Sequence, residues 1–376
     1  MQSNLSLQEK KISIFIPVYV NSELLASLLE ELLKDNYKNK EIFVIIDEPN
    51  QDSLNIFEKY KNRVFFILND QRIGKANALN DAVNYSKGDI LLFLDADIKL
   101  KNNDGAFLSK IVNEMHETDL LDIKKDIIRD SFISKMVNYE YISSNFVSYL
   151  YSRFAKRSVG INGAAFAIKR EVFKEAGGFS KVVSEDFDLA IKVALKDRRF
   201  KFYDRLEVKT KSPRNWKDWF TQRKRWSIGV GLWLKDHWRE LLKYVRKYPH
   251  LALLSFVILF PTFIPILLSY FLSNFLGYKL LNFIIMFLAT KFPLLIAFPF
   301  IFSISLLILT SFMNFIVSFI LFLILFFLFA KKLNFNFSVL EFTIYYYFYQ
   351  PFAFFVLIIG IITPFVYKKY KLDWKI

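Results

Sequence analysis

Apolar and charged positions divide this chain into two parts. Up to about residue 250, short apolar runs alternate with charged segments, whereas charges almost vanish beyond that point. The runs in the first hundred residues are rich in β-branched and aromatic side chains, which predicts strands covered on both faces of a sheet. These predicted strands are Ile12 to Val18, Ile42 to Ile46, Val64 to Leu68 and Ile90 to Leu94.

Helical patterns separate these runs. Ser22 to Lys34 carries a leucine stripe at helical spacing, with Asn21 or Ser22 as the predicted N-cap, and another helix is predicted from Lys75 to Tyr85. Alternating strands and helices predict an α/β fold with a mostly parallel sheet. Ligands of such sheets bind beyond the carboxyl ends of the strands, so candidate site residues are sought there.

The C-terminal third contains three long stretches without charged residues: Leu251 to Tyr278, Phe292 to Ala330 and Phe342 to Tyr367. One membrane crossing takes about 20 apolar residues, so residues 251–376 are predicted to form an α-helical transmembrane domain. Four crossings are preferred, because they return the basic C-terminal tail to the cytoplasm. They lie near 251–275, 279–300, 303–330 and 342–367. Three crossings, with 279–291 along the interface, are the alternative.

Composition adds to this interpretation. The chain is 53% hydrophobic, and it has no cysteine, which excludes disulfides and thiolate metal sites. Met1 to Lys10 is polar, so no signal peptide precedes the first predicted strand. Residues 1–235 are therefore expected to form a cytoplasmic domain of a multi-pass protein of the cell membrane.

The basic charge is concentrated just before the first uncharged stretch. The chain has a net charge of +15, and Lys196 to Lys247 contains seventeen Lys or Arg against six Asp or Glu. Nucleic acid is one possible target of such a block. A basic segment beside a hydrophobic span instead favours anionic lipid headgroups, so membrane lipids are expected as partners and nucleic acid is not. Residues 236–250 are predicted to form an amphipathic interfacial helix, with an ordinary surface helix as the alternative.

Two acids end the fourth predicted strand, in the segment ILLFLDAD. Asp95 and Asp97 are two residues apart, so on a strand they point the same way. Buried like charges repel each other unless a cation neutralises them, and Mg²⁺ commonly takes one or two carboxylates together with substrate phosphates. This segment therefore predicts a site for a divalent cation, although short strings of this kind are common.

Further candidates lie at other strand and helix ends. Asp47 ends the second strand, where an acid can bind a ribose or a base edge, or serve as a solvated turn acid. Lys75 opens a helix, a position that favours phosphate. Glu185 and Asp186 begin another helix, where acids also complement the helix dipole.

The segment QRKRW contributes a third kind of candidate. Helical spacing places Gln222, Arg225 and Trp226 on overlapping faces. Arginine can bind a diphosphate with two parallel hydrogen bonds, and tryptophan can present an apolar face to a sugar. Anchoring at the membrane interface is the alternative, because Trp and Arg both favour that zone.

In order along the chain, these segments resemble the family 2 glycosyltransferases, whose catalytic fold is of the GT-A type. The resemblance rests on IFIPVY, IIDE, GKANALN, LDAD, NGAAF, SED and QRKRW, between about Lys11 and Gly229. SED and QRKRW together resemble the membrane-integrated subgroup that contains cellulose, chitin and hyaluronan synthases and ceramide glucosyltransferase.

The resemblance implies a role for each candidate. Asp186 would be the general base on the acceptor hydroxyl, and Asp97, with Asp95, would bind Mg²⁺ or Mn²⁺. The donor, by resemblance a UDP-sugar, would be bound by Asp47, Lys75, Asp95, Gln222, Arg225 and Trp226. The acceptor would contact Gly163, Glu185 and Trp226.

Three functions are therefore compared. The preferred one is inverting, metal-dependent transfer from a nucleotide-sugar to a growing polysaccharide at the membrane. The second is transfer of a single sugar to a lipid or lipid-linked oligosaccharide, which the absence of a span before the catalytic domain favours. The third is a transporter or channel with a nucleotide-binding regulatory domain. It is disfavoured because, apart from Lys291 and Glu341, the membrane region has almost no charged residues of the kind that transport sites use.

Overall fold

The computed structural model describes residues 10–101, 104–261, 284 and 297–367. The chain forms two compact units. The first is built from residues 1–252 and 355–376, and the second is Leu253–Phe354. The C-terminal residues thus belong to the same unit as the N-terminal α/β part.

Within the described residues, the first unit contains an eight-stranded sheet. Its strands are β1 (Ile12–Tyr19), β2 (Lys40–Asp47), β3 (Phe65–Asn69), β4 (Ile90–Leu94), β5 (Ile98–Leu100), β6 (Leu120–Ile127), β7 (Ala165–Lys169) and β8 (Phe200–Thr210). The strand order is β3-β2-β1-β4-β7-β6-β8-β5. The four strands predicted from the apolar runs are confirmed as β1 to β4.

The described helices lie between and after these strands. They are α1 (Leu25–Lys34), α2 (Gln51–Tyr60), α3 (Lys75–Tyr85), α4 (Phe107–Glu114), α5 (Phe132–Leu150), α6 (Arg170–Glu175), α7 (Glu185–Leu195), α8 (Trp216–Lys247), α9 (Pro249–Leu259), α10 (Ala297–Lys332), α11 (Val339–Ile344) and α12 (Gln350–Val366). A π-helical turn extends α5 through Tyr151–Ala155, and another joins α11 to α12.

The sheet is mixed, with four parallel and three antiparallel strand pairs, so the expectation of a mostly parallel sheet holds in part. The prediction holds for β3, β2, β1 and β4, which pair in parallel. Strand β7, however, is antiparallel to both of its neighbours, β4 and β6, and β5 is antiparallel to β8. Every residue of β4 is buried, and five consecutive apolar side chains match that environment.

The start of α1 differs from the sequence expectation. The predicted cap residues lie before the helix, which begins at Leu25, and the Ser22 hydroxyl instead donates to the carbonyl oxygen of Ala96, at 2.7 Å. Ser22 therefore holds the segment between Asp95 and Asp97. A side chain that can cap a helix can equally satisfy a distant carbonyl, and local sequence does not distinguish the two.

Strand β6 is buried along its whole length although four of its eight residues are charged. Lys124 lies 2.5 Å from Glu207 on β8, and Glu207 also pairs with Lys101. Lys125, on the opposite face of the strand, donates to Asp122. Buried charges require partners of this kind, and the partner of Lys124 is distant in sequence.

Helix α8 contains QRKRW and most of the predicted interfacial segment 236–250, which is interrupted at Tyr248 before α9 begins. Residues 236–247 are thus the last twelve residues of a 32-residue helix. Near the middle of this helix, a Cβ on Gly231 would lie 2.5 Å from the carbonyl oxygen and 3.0 Å from the Cα of Ile361 on α12. The two helix backbones approach closely because position 231 has no side chain.

Replacing Gly231 with Ala is therefore expected to lower stability. The added methyl would meet backbone atoms, which cannot rotate away, and overpacking of this kind costs about 1–3 kcal/mol. Thermal unfolding of the purified chain would measure the effect as a lower Tm. The exposed Lys224 on the same helix provides a control, because Lys224→Ala should leave Tm unchanged.

Two helical segments in the described part of the chain are long and apolar enough to cross a membrane. Phe312–Lys332 has a mean hydropathy of 2.8 and Val339–Val366 of 1.9. They correspond to the predicted crossings near 303–330 and 342–367. Most of the crossing predicted near 279–300, and most of the one near 251–275, lies outside the described residues. The number of crossings stays a prediction.

Candidate functional site

The carboxyl ends of the parallel strands and the starts of two helices meet at one cavity. Lys75 opens α3, Asp95 follows β4, and Glu185 and Asp186 open α7. All four line this cavity together with Gly163. The candidate residues therefore lie together at the edge of the sheet where the rule on carboxyl strand ends predicts a ligand.

Lys75 lies among the acids. Its Nζ atom is 2.7 Å from Oδ1 of Asp95 and 3.5 Å from Oε1 of Glu185. Burial alone would lower the pKa of Lys75, but the charges of Asp95 and Glu185 outweigh burial and raise it. The ammonium group is thus held in its charged form between two helix starts and a strand end.

Asp186 is fixed by backbone donors. Its Oδ2 accepts a hydrogen bond from the N–H of Gly163, at 2.9 Å, and its Oδ1 accepts one from its own helix, from Phe187 N–H. The same loop also holds the strand end, because Asp95 N–H donates to the carbonyl oxygen of Ala164. Residues 163 and 164 therefore connect the carboxylate of Asp186 to the backbone of Asp95.

The acids of this cluster are harder to ionise than ordinary carboxyl groups. Burial raises the pKa of Glu185 to about 7, with the charge of Lys75 opposing the shift. Burial also raises the pKa of Asp186, against the same opposition from Lys75. Burial together with the nearby charge of Asp95 raises the pKa of Asp97 to about 6. Burial therefore favours the neutral forms of these acids, and the charge of Lys75 opposes it.

Asp47 ends β2 and is buried, as the prediction of a strand-end acid requires. Its carboxylate accepts hydrogen bonds from the Asn69 side chain and from the N–H groups of Ile73 and Gly74. It thereby fixes the loop that delivers Lys75 to the cavity. Its predicted contact with a nucleotide stays a prediction.

The three QRKRW candidates share α8 but differ in their surroundings. Arg225 is largely buried, which lowers its pKa, while the charges of Glu185 and Asp95 act to raise it. Its guanidinium group is therefore electrostatically coupled to the cavity acids. The Trp226 ring is 37% exposed. Gln222 is half-buried one turn before them.

The donor set fits part of a divalent-cation site. In the part of the chain that the structure describes, no three histidine or acidic side chains converge as a metal site. Asp95 and Asp97 offer two carboxylates, and the pKa of Asp97 is raised by burial and by the charge of Asp95, which a cation would offset. Mg²⁺ is often bound by one or two carboxylates and completed by substrate phosphates, so the two acids fit such an ion.

Backbone strain marks the same edge of the sheet. Val20 and Glu48, which directly follow β1 and β2, have φ angles of 62° and 55°. A β-branched residue in the left-handed region is uncommon, and strained positions cluster at functional sites. The Val20 N–H donates to the carbonyl oxygen of Asp47 at 2.9 Å, which ties the two strand ends together.

Sequence reasoning missed several residues near the cavity. The Tyr141 hydroxyl on α5 hydrogen-bonds with the side chain of Asn162, the residue before Gly163. Arg72 stacks on the Tyr19 ring at 4.2 Å and is electrostatically coupled to Arg225. None of these belongs to a recognisable motif. The polar residues of α5, among them Tyr141 and Asn145, which are buried, are the feature that could have indicated a role for this helix.

Comparisons with known proteins find relatives that cover more than half of this chain. The Staphylococcus epidermidis poly-beta-1,6-N-acetyl-D-glucosamine synthase is 23% identical over 286 residues, covering 73% of this chain and 69% of the synthase. The probable glycosyltransferase YdaM of Bacillus subtilis is 24% identical over 230 residues, covering 58% of this chain and 55% of YdaM. The chain thus spans about half the length of YdaM.

A solved structure has a similar fold. The mannosyltransferase PcManGT from Pyrobaculum calidifontis, determined in complex with GDP-Man and Mn²⁺, superposes with a TM-score of 0.50 at 18% identity, covering 82% of this chain and 88% of that protein. The α/β part with its mixed sheet is GT-A-like. The family model for glycosyl transferase family 2 matches residues 13–177, from β1 to just past α6. Residues 13–177 are therefore similar to the glycosyl transferase family 2 domain.

Proposed function

We propose that this protein transfers a sugar from a nucleotide-sugar donor to a growing polysaccharide at the membrane, with inversion at the anomeric carbon. The observation that carries the proposal is the cavity in which Asp95, Lys75 and Asp186 meet. A base, a cation and strand-end acids around one space are the groups that a single in-line displacement requires.

Asp186 is the proposed general base. Both of its carboxylate oxygens are aligned by N–H donors, and burial makes the group more basic than an ordinary aspartate. In its ionised form it would take the proton of the acceptor hydroxyl as that oxygen attacks the anomeric carbon. Gly163, directly beside it, leaves room for the acceptor.

Lys75 and Arg225 are proposed to act on the departing diphosphate. Lys75 is held charged at the start of α3, where backbone N–H groups also favour phosphate. Arg225 can supply paired hydrogen bonds from α8. Asp97 and Asp95 would hold Mg²⁺ or Mn²⁺, which when bound would stabilise the charge developing on the diphosphate.

The acceptor assignment draws on the relatives. Poly-beta-1,6-N-acetyl-D-glucosamine synthases from two Staphylococcus species align with 71–73% of the chain. We propose a polysaccharide acceptor on this basis, with the sugar at its growing end against Trp226. The segments 312–332 and 339–366 and the basic helix α8 support a position in and against the membrane, with the catalytic domain on the cytoplasmic side.

The proposal is tested by incubating membranes that contain the chain with a panel of labelled nucleotide-sugars and Mg²⁺ or Mn²⁺, and then sizing the product. A long polymer from one donor is expected. Incorporation of a single sugar into lipid would favour the simpler transferase. The absence of incorporation from every donor would contradict the proposal.

Gly163→Ala should impair transfer through Asp186. A Cβ at position 163 would lie 3.0 Å from Oδ2 and 3.2 Å from Cβ of Asp186, so the carboxylate must shift by a few tenths of an ångström. Misplacement of a catalytic group is costly, and a loss of about tenfold or more in kcat is expected. Steady-state kinetics would measure it. An unchanged kcat would mean that Asp186 tolerates displacement and is not the base.

A further inference from the structure

Glu140 and Arg223 join α5 to α8 beside the candidate site. The guanidinium group of Arg223 donates a hydrogen bond to Oε2 of Glu140. The side chain of Arg223 is only 15% exposed and that of Glu140 only 24%. An ion pair shielded to this extent has a better-defined geometry than a solvated surface pair, because less water competes for its charges.

Arg223 also stacks between two tryptophans of its own helix. Its guanidinium carbon lies 4.7 Å from the ring centroid of Trp226 and 5.7 Å from that of Trp219. Both distances fall within about 6 Å, the range of cation–π attraction. Trp219 is completely buried, whereas Trp226 is the partly exposed member. The Trp226 ring therefore rests on a cation whose own position Glu140 fixes.

We propose that Glu140 and Arg223 are positioning residues that hold the Trp226 ring ready to stack on the acceptor sugar. This inference rests on the proposed function, in which Trp226 contacts the acceptor. A ring fixed before binding loses less rotamer freedom when the sugar arrives, which improves acceptor affinity. Neither Glu140 nor Arg223 touches the reacting atoms in this assignment.

The first test follows the ring itself and does not depend on activity. The fluorescence of Trp226 is the difference between the purified full chain and its Trp226→Phe variant. Quenching of this difference by acrylamide reports how accessible Trp226 is to solvent. Glu140→Gln and Arg223→Gln are both expected to increase this quenching. Lys224→Gln, a charge change at an exposed neighbouring position, should not. Unchanged quenching in both variants would overturn the positioning role, whether or not sugar transfer has been found.

The second test uses the donor and acceptor identified by the nucleotide-sugar panel. Each single variant is expected to raise the acceptor KM about fivefold while the donor KM stays unchanged. Tm should fall, because each variant breaks a shielded ion pair. Because both residues act on the same ring, the double variant should raise the acceptor KM no more than either single variant. An equal rise in the donor KM and the acceptor KM would indicate a purely structural pair and overturn the proposal.

A charge exchange separates the ion pair from the cation–π contact. Glu140→Arg combined with Arg223→Glu restores an attraction between the helices but places a carboxylate against the Trp226 ring. The acceptor KM should therefore stay raised, whereas Arg223→Lys should restore part of the affinity because it keeps the cation. Full recovery in the exchanged variant would show that only the link between the helices matters, and the proposal would be wrong.

Discussion

Asp186→Asn is expected to reduce kcat by about 10²- to 10⁴-fold and to leave donor binding nearly unchanged. The amide keeps the size of the carboxylate but cannot accept the acceptor proton. The donor is expected to contact Lys75 and Arg225 rather than Asp186, so its affinity should persist. Transfer kinetics together with equilibrium binding of a labelled nucleotide-sugar would measure both quantities.

Asp197→Asn is the matched control for this variant. Asp197 is 72% exposed, and its ion pairs are long, 3.4 Å to Arg157 and 3.9 Å to Lys247. The same chemical change at that position should leave kcat unchanged. Equal losses of donor binding and turnover in Asp186→Asn would instead assign Asp186 to the donor and leave the reaction without its proposed base.

Lys75→Met is expected to have the second-largest effect. The variant leaves Asp95, Glu185 and Asp186 without the cation between them, so that these partly buried carboxylates repel one another. A lower Tm and a loss of transfer of about 100-fold or more are expected. Lys75→Arg, which keeps the charge, should lose much less in both measurements.

The pH profile of Lys75→Met is predicted as well. The charge of Lys75 lowers the pKa of Asp186, so its removal lets that pKa rise further. The base must be ionised to act, and the acidic limb of the kcat profile should therefore move to higher pH. Lys61→Met is a surface control, because Lys61 lies exposed at the end of α2, where it pairs with Glu58. If the pH profile of kcat in Lys75→Met matched that of the unmodified chain, Lys75 would have no influence on the base.

The sequence predicts strands β1 to β4, where the surroundings are similar from one residue of the strand to the next. Strand β4 was predicted from end to end because five buried positions in succession carry five apolar side chains. Lys75 and Asp95 were recognised as site candidates because they begin a helix and follow a strand. These features depend on neighbours in sequence, which a pattern can record.

The other half of the sheet depends on partners far along the chain. Strand β6 carries charged residues at buried positions, and Lys124 is neutralised by Glu207, 83 residues away. No local pattern indicates such a pair, so β6 was not predicted. The antiparallel insertion of β7 between β4 and β6 is equally non-local. The same reason explains why Glu140, on a helix without a motif, was missed beside QRKRW.

The packing of Gly231 against Ile361 limits how the chain can be truncated for experiments. A truncation after residue 252, chosen to remove the hydrophobic C-terminal region, would also delete residues 355–366, which belong to the first unit. The surface of helix α8 around Gly231, five residues after Trp226, would then be exposed. Such a fragment would be prone to aggregate, and its low activity would say nothing about the chemistry of the cavity.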